Sequence, residues 1–142
     1  MKGSCTEATA GGDITSNETW AEGTCVTLTD HVFVKGGATL TIEPGVLVLG
    51  DAGTSIVITK DGSIDAEGTA NCPIVMTSVQ AEGDRAAGDW GGLVLLGEAP
   101  INVAGGTQNI EGFVAGPDTE YGGDSDTHDC GTVKYVRIEF AG

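Results

Sequence analysis

The sequence predicts an all-β coil: a right-handed parallel β-helix of three sheets and about three and a half turns, preceded by an N-terminal cap segment. Three observations lead there. Residues 31–78 repeat at an interval of 24, so that Val32-Phe33-Val34 falls on Ile56-Val57-Ile58 and Leu40-Thr41-Ile42-Glu43 falls on Ile64-Asp65-Ala66-Glu67. A unit of that length cannot bury its own apolar side chains and must stack on its neighbours. Twenty-four glycines, only four prolines and 5% aromatic residues supply many tight turns between short strands and disfavour helix. A β-sandwich, the other all-β reading, would not repeat at 24 residues with glycine at matching corners.

Residues 1–30 read as the cap. Ile14, Trp20 and Cys25-Val26-Thr27-Leu28 are apolar points in polar sequence, suited to covering the first turn, with Trp20 sealing the core. Residues 31–142 form the solenoid, and its strands sort into three columns. The first column holds 32–34, 56–58, 93–96 and 133–140. The second holds 40–42, 64–66 and 101–103, and the third 46–49, 74–76 and 110–113. Glycine sits in the connecting turns, as in Lys35-Gly36-Gly37, Glu43-Pro44-Gly45 and Lys60-Asp61-Gly62. Beyond Ser78 the period lengthens to 37 and then 43 residues, which places insertions at about 79–90 and 114–131.

Two runs, Val46-Leu47-Val48-Leu49 and Leu93-Val94-Leu95-Leu96, are apolar at every position and ask for burial on both faces. One face is the core; the other needs an inserted loop or a neighbouring molecule. Residues 133–140 alternate instead, with Tyr135, Arg137 and Glu139 on an outer, readable face. The last strand is followed only by Ala141-Gly142, so its edge is expected to be completed either by more chain or by an assembly.

A formal charge of −15, from 21 acids against six bases, disfavours nucleic acid and anionic membrane surfaces as partners. No apolar run is long enough to insert in a membrane, and Met1-Lys2-Gly3-Ser4 opens no signal peptide, so an exported form would be mature. The sequon Asn17-Glu18-Thr19 matters only on a eukaryotic secretory route. Four cysteines without a CxxC pair argue against zinc and for two disulfides in an oxidising compartment. The expected pairing is Cys5–Cys25, which leaves Cys72–Cys130.

Candidate chemistry is sparse. In Gly122-Gly123-Asp124-Ser125-Asp126-Thr127-His128-Asp129, the carboxylates of Asp124, Asp126 and Asp129 on a flexible loop could take calcium, although the spacing is not that of an EF-hand. His128 could join Asp126 and Asp129 on a transition metal. No cofactor is required. His31 and His128 are the only histidines and neither has a nucleophile context, and no glycine-rich phosphate loop opens a helix. A polysaccharide lyase would need metal-holding acids beside Lys134 or Arg137 on one exposed face, and the sequence alone does not place them there.

The succession GDITSNETW, VFVKGGATLTIEPG, DGSIDAEGTANCPIVMTS, DWGGLVLLGEAPIN, IEG, YGG and GTVKYVRIEFAG resembles a group of bacterial secreted or cell-surface right-handed parallel β-helix proteins, often labelled hypothetical lipoproteins or, misleadingly, multidrug transporters. The resemblance covers residues 12–142 and implies the fold, an exported location and further turns after the YVRIEFAG strand. It carries no activity. The expectation is therefore an extracellular structural or interaction module that self-assembles as a homo-oligomer or fibre, with Val94, Leu96, Tyr135, Arg137 and Glu139 at contacts. The alternatives are a module that presents its loops to a glycan or surface protein, and a fragment of a polysaccharide-degrading enzyme.

Overall fold

A computed structural model describes residues 4–142 of the chain. They form the expected parallel β-helix. Strands β1 (Thr6–Ile14) and β2 (Glu18–Trp20) make a first turn, and β3 (Thr24–Val34) and β4 (Thr39–Ile42) a second. A third turn contains β5 (Leu47–Gly50), β6 (Ile56–Ile58) and β7 (Ser63–Glu67). The fourth opens with β8 (Ile74–Ser78) and β9 (Leu93–Leu95). It then carries an insertion with the hairpin β10 (Gln108–Asn109) and β11 (Glu120–Tyr121), and closes with β12 (Gly131–Lys134). β13 (Val136–Ile138) begins a fifth.

Every pairing in the coil is parallel, and the register puts like on like. In the first column Val32 stacks on Ile56 and then Leu93. In the second, Leu40 stacks on Ile64 and Trp20 on Ile42 and Ala66. In the third, Val26 stacks on Val48 and Met76. These inward positions are buried almost completely, apart from the partly buried Leu93, whereas their neighbours along each strand face out. Each aliphatic side chain so enclosed contributes about 1.5–3 kcal/mol. The ladder of such residues, rather than any local propensity, holds the coil together.

The segment read as a cap is itself coil. Of residues 1–30, 1–3 lie outside the described residues. β1 pairs with β3 along its length, because Ala8, Ala10 and Ile14 alternate inward opposite Val26, Leu28 and Val34. Trp20 is buried at the N-terminal end of the second column, the sealing position expected of it. β3 is longer than the two short strands read from the sequence: its first half belongs to the third column and its second half to the first.

The last turn departs from the expected columns. Residues 101–103 and 110–113 join no sheet of the coil, since their apolar side chains serve the insertion. Residues 133–140 are not one alternating strand of the first column. β12 pairs with β7 in the second column and β13 with β8 in the third. The corner between them is Tyr135, whose φ of 50° lies in the left-handed region that non-glycine residues rarely adopt. The doubly apolar runs are also resolved. Leu47 and Leu49 stay half-exposed outside the third column, while Leu96 is 2% exposed beneath the chain's own insertion and is not offered to a neighbour.

Only Cys5 and Cys25 are disulfide-bonded, tying β3 to the residue just before β1; Cys72 and Cys130 are free thiols. The expected Cys72–Cys130 bridge fails for a geometric reason. Cys130 precedes β12 and bonds to Ile64 at the start of β7, whereas Cys72 lies past the far end of that strand, over Gly45. Four strand steps separate the two positions by on the order of 13 Å, well beyond the roughly 4.4–6.8 Å between Cα atoms that a disulfide spans.

Trp90 locks the last turn. Its ring lies where a Cβ on Gly50 would be, its Nε1 donates to the Glu139 carbonyl at 2.8 Å, and its backbone bridges to Ala141. Trp90→Ala is expected to cost about 3–5 kcal/mol in urea unfolding and to loosen residues 139–142; an unchanged midpoint would show that this ring does not hold the end. Unfolded without reductant, the chain should show two reactive thiols, and four after reduction.

Candidate functional site

The insertions gather the functional surface. Residues 96–130 fold back over the outer side of the first column, where Phe33, Val57 and Val94 lie in one row. Val57 faces out yet is fully buried, because the insertion covers it. Phe113 reaches the coil here: its ring centroid is 4.7 Å from that of His31 and 6.4 Å from that of Phe33, the latter edge-on. Beside this aromatic cluster runs a groove of about 840 Å³, bordered by His31, Trp90, Val94, Ile110 and Phe113 and floored by glycines. His31 Nδ1 is buried there without a hydrogen-bond partner among the described residues. The expected contact residue Val94 thus lies in this groove.

Two lysines at successive corners of the coil hold the insertion down. Lys35, just after β3, places its Nζ 2.7 Å from Asp118 and 2.8 Å from Asp13. Lys60, after β6, sits 2.6 Å from Glu120 Oε1 and also donates to the Gly122 carbonyl. The hydrogen bonds that Lys35 donates to Asp118 and then to Asp13 raise its pKa well above the usual lysine range. The hydrogen bond and charge of Lys60 hold the Glu120 carboxyl below its ordinary value. The turn they grip is fixed internally by Thr119, whose hydroxyl donates to Asn109 Oδ1 at 2.7 Å. Sequence reading missed both lysines as clamps, because their partners lie 83 and 60 residues away.

The proposed calcium loop does not gather. Asp129 turns its carboxylate onto the backbone N–H of Gly131 at 2.8 Å. Neither Asp124, Asp126 and Asp129 nor any other three His, Cys, Asp or Glu side chains among the described residues converge closely enough to hold a metal ion. His128 lies 3.7 Å from Glu98, not on a set of carboxylates. Cys130 points at the Leu96 carbonyl, and burial, reinforced by Asp129, pushes its thiol pKa up. That is the reverse of an activated nucleophile.

The outer side of the second column holds an arrangement that the sequence did not reveal. Asp65 and Thr132 are register partners, as are Glu67 and Lys134, so acids and a base do share one exposed face. The missing signal was the column to which residues 131–134 belong.

The C-terminal end of the coil is the remaining feature. β9, β12 and β13 are each the last strand of a column among the described residues, with one edge unpaired. Of the eight large hydrophobic residues exposed among the described residues, Leu95, Val133, Tyr135, Ile138 and Phe140 lie at this end. Leu95, Val133 and Ile138 are core positions by register, stacked on Ile58, Ala66 and Met76, with no further strand stacked on them among the described residues. Arg137 and Glu139 also lie here, 2.6 Å apart in an ion pair with each other.

A family model described as a pectate-lyase like beta helix domain matches residues 12–142. No curated protein and no solved structure matches the chain.

The lysine clamp has a pH signature. Glu120 titrates lower in the folded chain than when unfolded, so its contribution is complete above a pH of about 4.5 and is lost as the pH falls through the folded value. Hydrogen exchange, corrected for its intrinsic rate, should therefore show the Gly122 amide bonded to Gly97 losing protection on acidification. Lys60→Met should lose protection already at neutral pH and flatten the dependence. Identical profiles in the two proteins would mean that apolar packing alone holds the insertion.

Proposed function

The chain belongs to the pectate-lyase-like β-helix family, and from that fold we propose that it serves as an extracellular structural module that self-associates through apolar residues exposed on its last described turn. The observation that carries this reading is that core-facing Leu95, Val133 and Ile138 are exposed on the last described turn, beside strand edges without a partner among the described residues. Such an edge is a template for further strands. The formal charge of −15 makes the acidic outer faces repel one another and leaves apolar residues as the favoured place of contact. The Cys5–Cys25 disulfide supports an oxidising location outside the cytosol.

The aromatic groove favours a second reading, a module that binds a glycan or protein between the insertion and the coil. Titration with neutral oligosaccharides, compared between the wild type and Phe113→Ala, tests it. Ligand binding by a strictly monomeric chain would favour the groove over the end.

Light scattering and electron microscopy across concentration test the first reading. The wild type is expected to give assemblies that grow with concentration, and Ile138→Asp to remain small at an unchanged melting temperature. Monodisperse particles of the wild type at every concentration would overturn it. Unsaturated products from an acidic polysaccharide, detected by ultraviolet absorbance and lost in Lys134→Ala, would move the protein to the enzyme class.

A further inference from the structure

We infer that the ligand of the groove is a small organic cation bearing an alkylated ammonium group, held where Phe113 meets His31 and Phe33. This rests on the groove reading above and names its ligand class. Past Phe113 the groove continues into a recess of about 460 Å³, between those two coil residues and residues 112–119 of the insertion. In its row Phe33 has Asp13 on one side and Val57 on the other, so the recess opens on the flank of the coil and not at either end. His31, Phe33 and Phe113 are half-buried, and each ring keeps part of its surface open. Their planes are inclined at 63°, 44° and 78° to one another, as walls of a corner rather than a stack. A cation within about 6 Å of such ring faces is drawn to their negative quadrupole.

Charge selects the same class. No described lysine or arginine borders the recess or the larger groove. Asp118 stands in the recess wall, Glu111 borders the groove beside Phe113, and Asp30 precedes His31. Lys35 is already countered by both Asp13 and Asp118, while Asp30 and Glu111 form no ion pair among the described residues. The local field therefore favours a cation and opposes carboxylated sugars and phosphate esters. The walls in turn select alkylation. Val114, Ala115 and Pro117 are apolar, Lys35 occupies Asp118, and the Thr119 hydroxyl donates to Asn109 and accepts from the Gly116 N–H. His31 Nδ1, although unpartnered, is buried beneath the surface. A primary ammonium brings N–H donors and a sugar brings hydroxyls, which lose water here without a replacement bond. A fully methylated ammonium brings no donor to satisfy.

The test is a nuclear magnetic resonance titration of the full chain with choline, at constant ionic strength, beside its neutral isostere in which carbon replaces the ammonium nitrogen. Choline is expected to shift the Phe113 and His31 ring resonances and the amides of residues 112–119 saturably, and to bind several-fold more tightly than the isostere. Phe113→Leu keeps an apolar cover without a ring and is expected to weaken choline several-fold more than the isostere. Glu111→Gln, at an exposed residue, is expected to weaken choline a few-fold at low salt. Equal binding of choline and isostere, or wild-type affinity for choline in Phe113→Leu, would overturn the inference. Resonances that a neutral oligosaccharide shifts and choline does not would overturn it and leave the groove reading standing, whereas no shift by either would overturn both. If Phe113→Leu loosens the insertion, seen as lost protection of the Gly122 amide, Glu111→Gln decides: choline affinity equal to that of the wild type at low salt would overturn the inference.

Discussion

Each turn of this coil is completed only by the turn above and the turn below, and the rest of the structure follows from that constraint. A strand such as β4 has its backbone bonded on both edges and Leu40 and Ile42 covered on both sides, by β2 and β7. Among the described residues β13 has one neighbour, and Ile138 is exposed although it occupies the same kind of core position as Met76. In a globular core the surface closes around the apolar residues. In a solenoid the ends stay open unless something caps them. Exposure of core-type residues on the last described turn is thus a consequence of the architecture.

The insertion answers a different demand. The outer positions of the first column, Phe33, Val57 and Val94, are apolar where a solvated face would be polar. Residues 96–130 cover them with Ile110 and Phe113, and the two lysine clamps keep that cover in register with successive turns. Apolar contact supplies the attraction and the charges select the position, since an exposed ion pair alone stabilises little. The groove beside Phe113 exists because the cover is incomplete, and its unpartnered His31 Nδ1 makes it a polar as well as an aromatic cleft.

The fold was legible in the sequence wherever the repeat was strict. Between Val32 and Met76 the 24-residue interval fixes three columns, because in-register stacking forces the same residue types to recur at the same spacing. Legibility ended where the interval stretched. Residues 101–103 and 110–113 have strand-like composition but pack as loop, and no periodicity distinguishes an apolar residue inside the coil from one lying against its outside. The same ambiguity put residues 133–140 in the wrong column, so the Glu67–Lys134 pairing and the corner at Tyr135 went unseen. At the N-terminus the small inward residues Ala8 and Ala10 were too weakly apolar to mark a strand, although they pair with Val26 and Leu28. Of the disulfides, only the local Cys5–Cys25 pair was secure, since the distance between Cys72 and Cys130 depends on the length of a strand lying between them.

The distribution of charge ties these features into one scheme. Net negative charge on the sides penalises lateral clumping of a protein built from exposed β edges, and it acts beyond contact distance until salt screens it. Over the last described turn that negative charge is offset by Lys134 and Arg137, and it is these charges on β12 and β13, rather than proline, that discourage pairing of their edges.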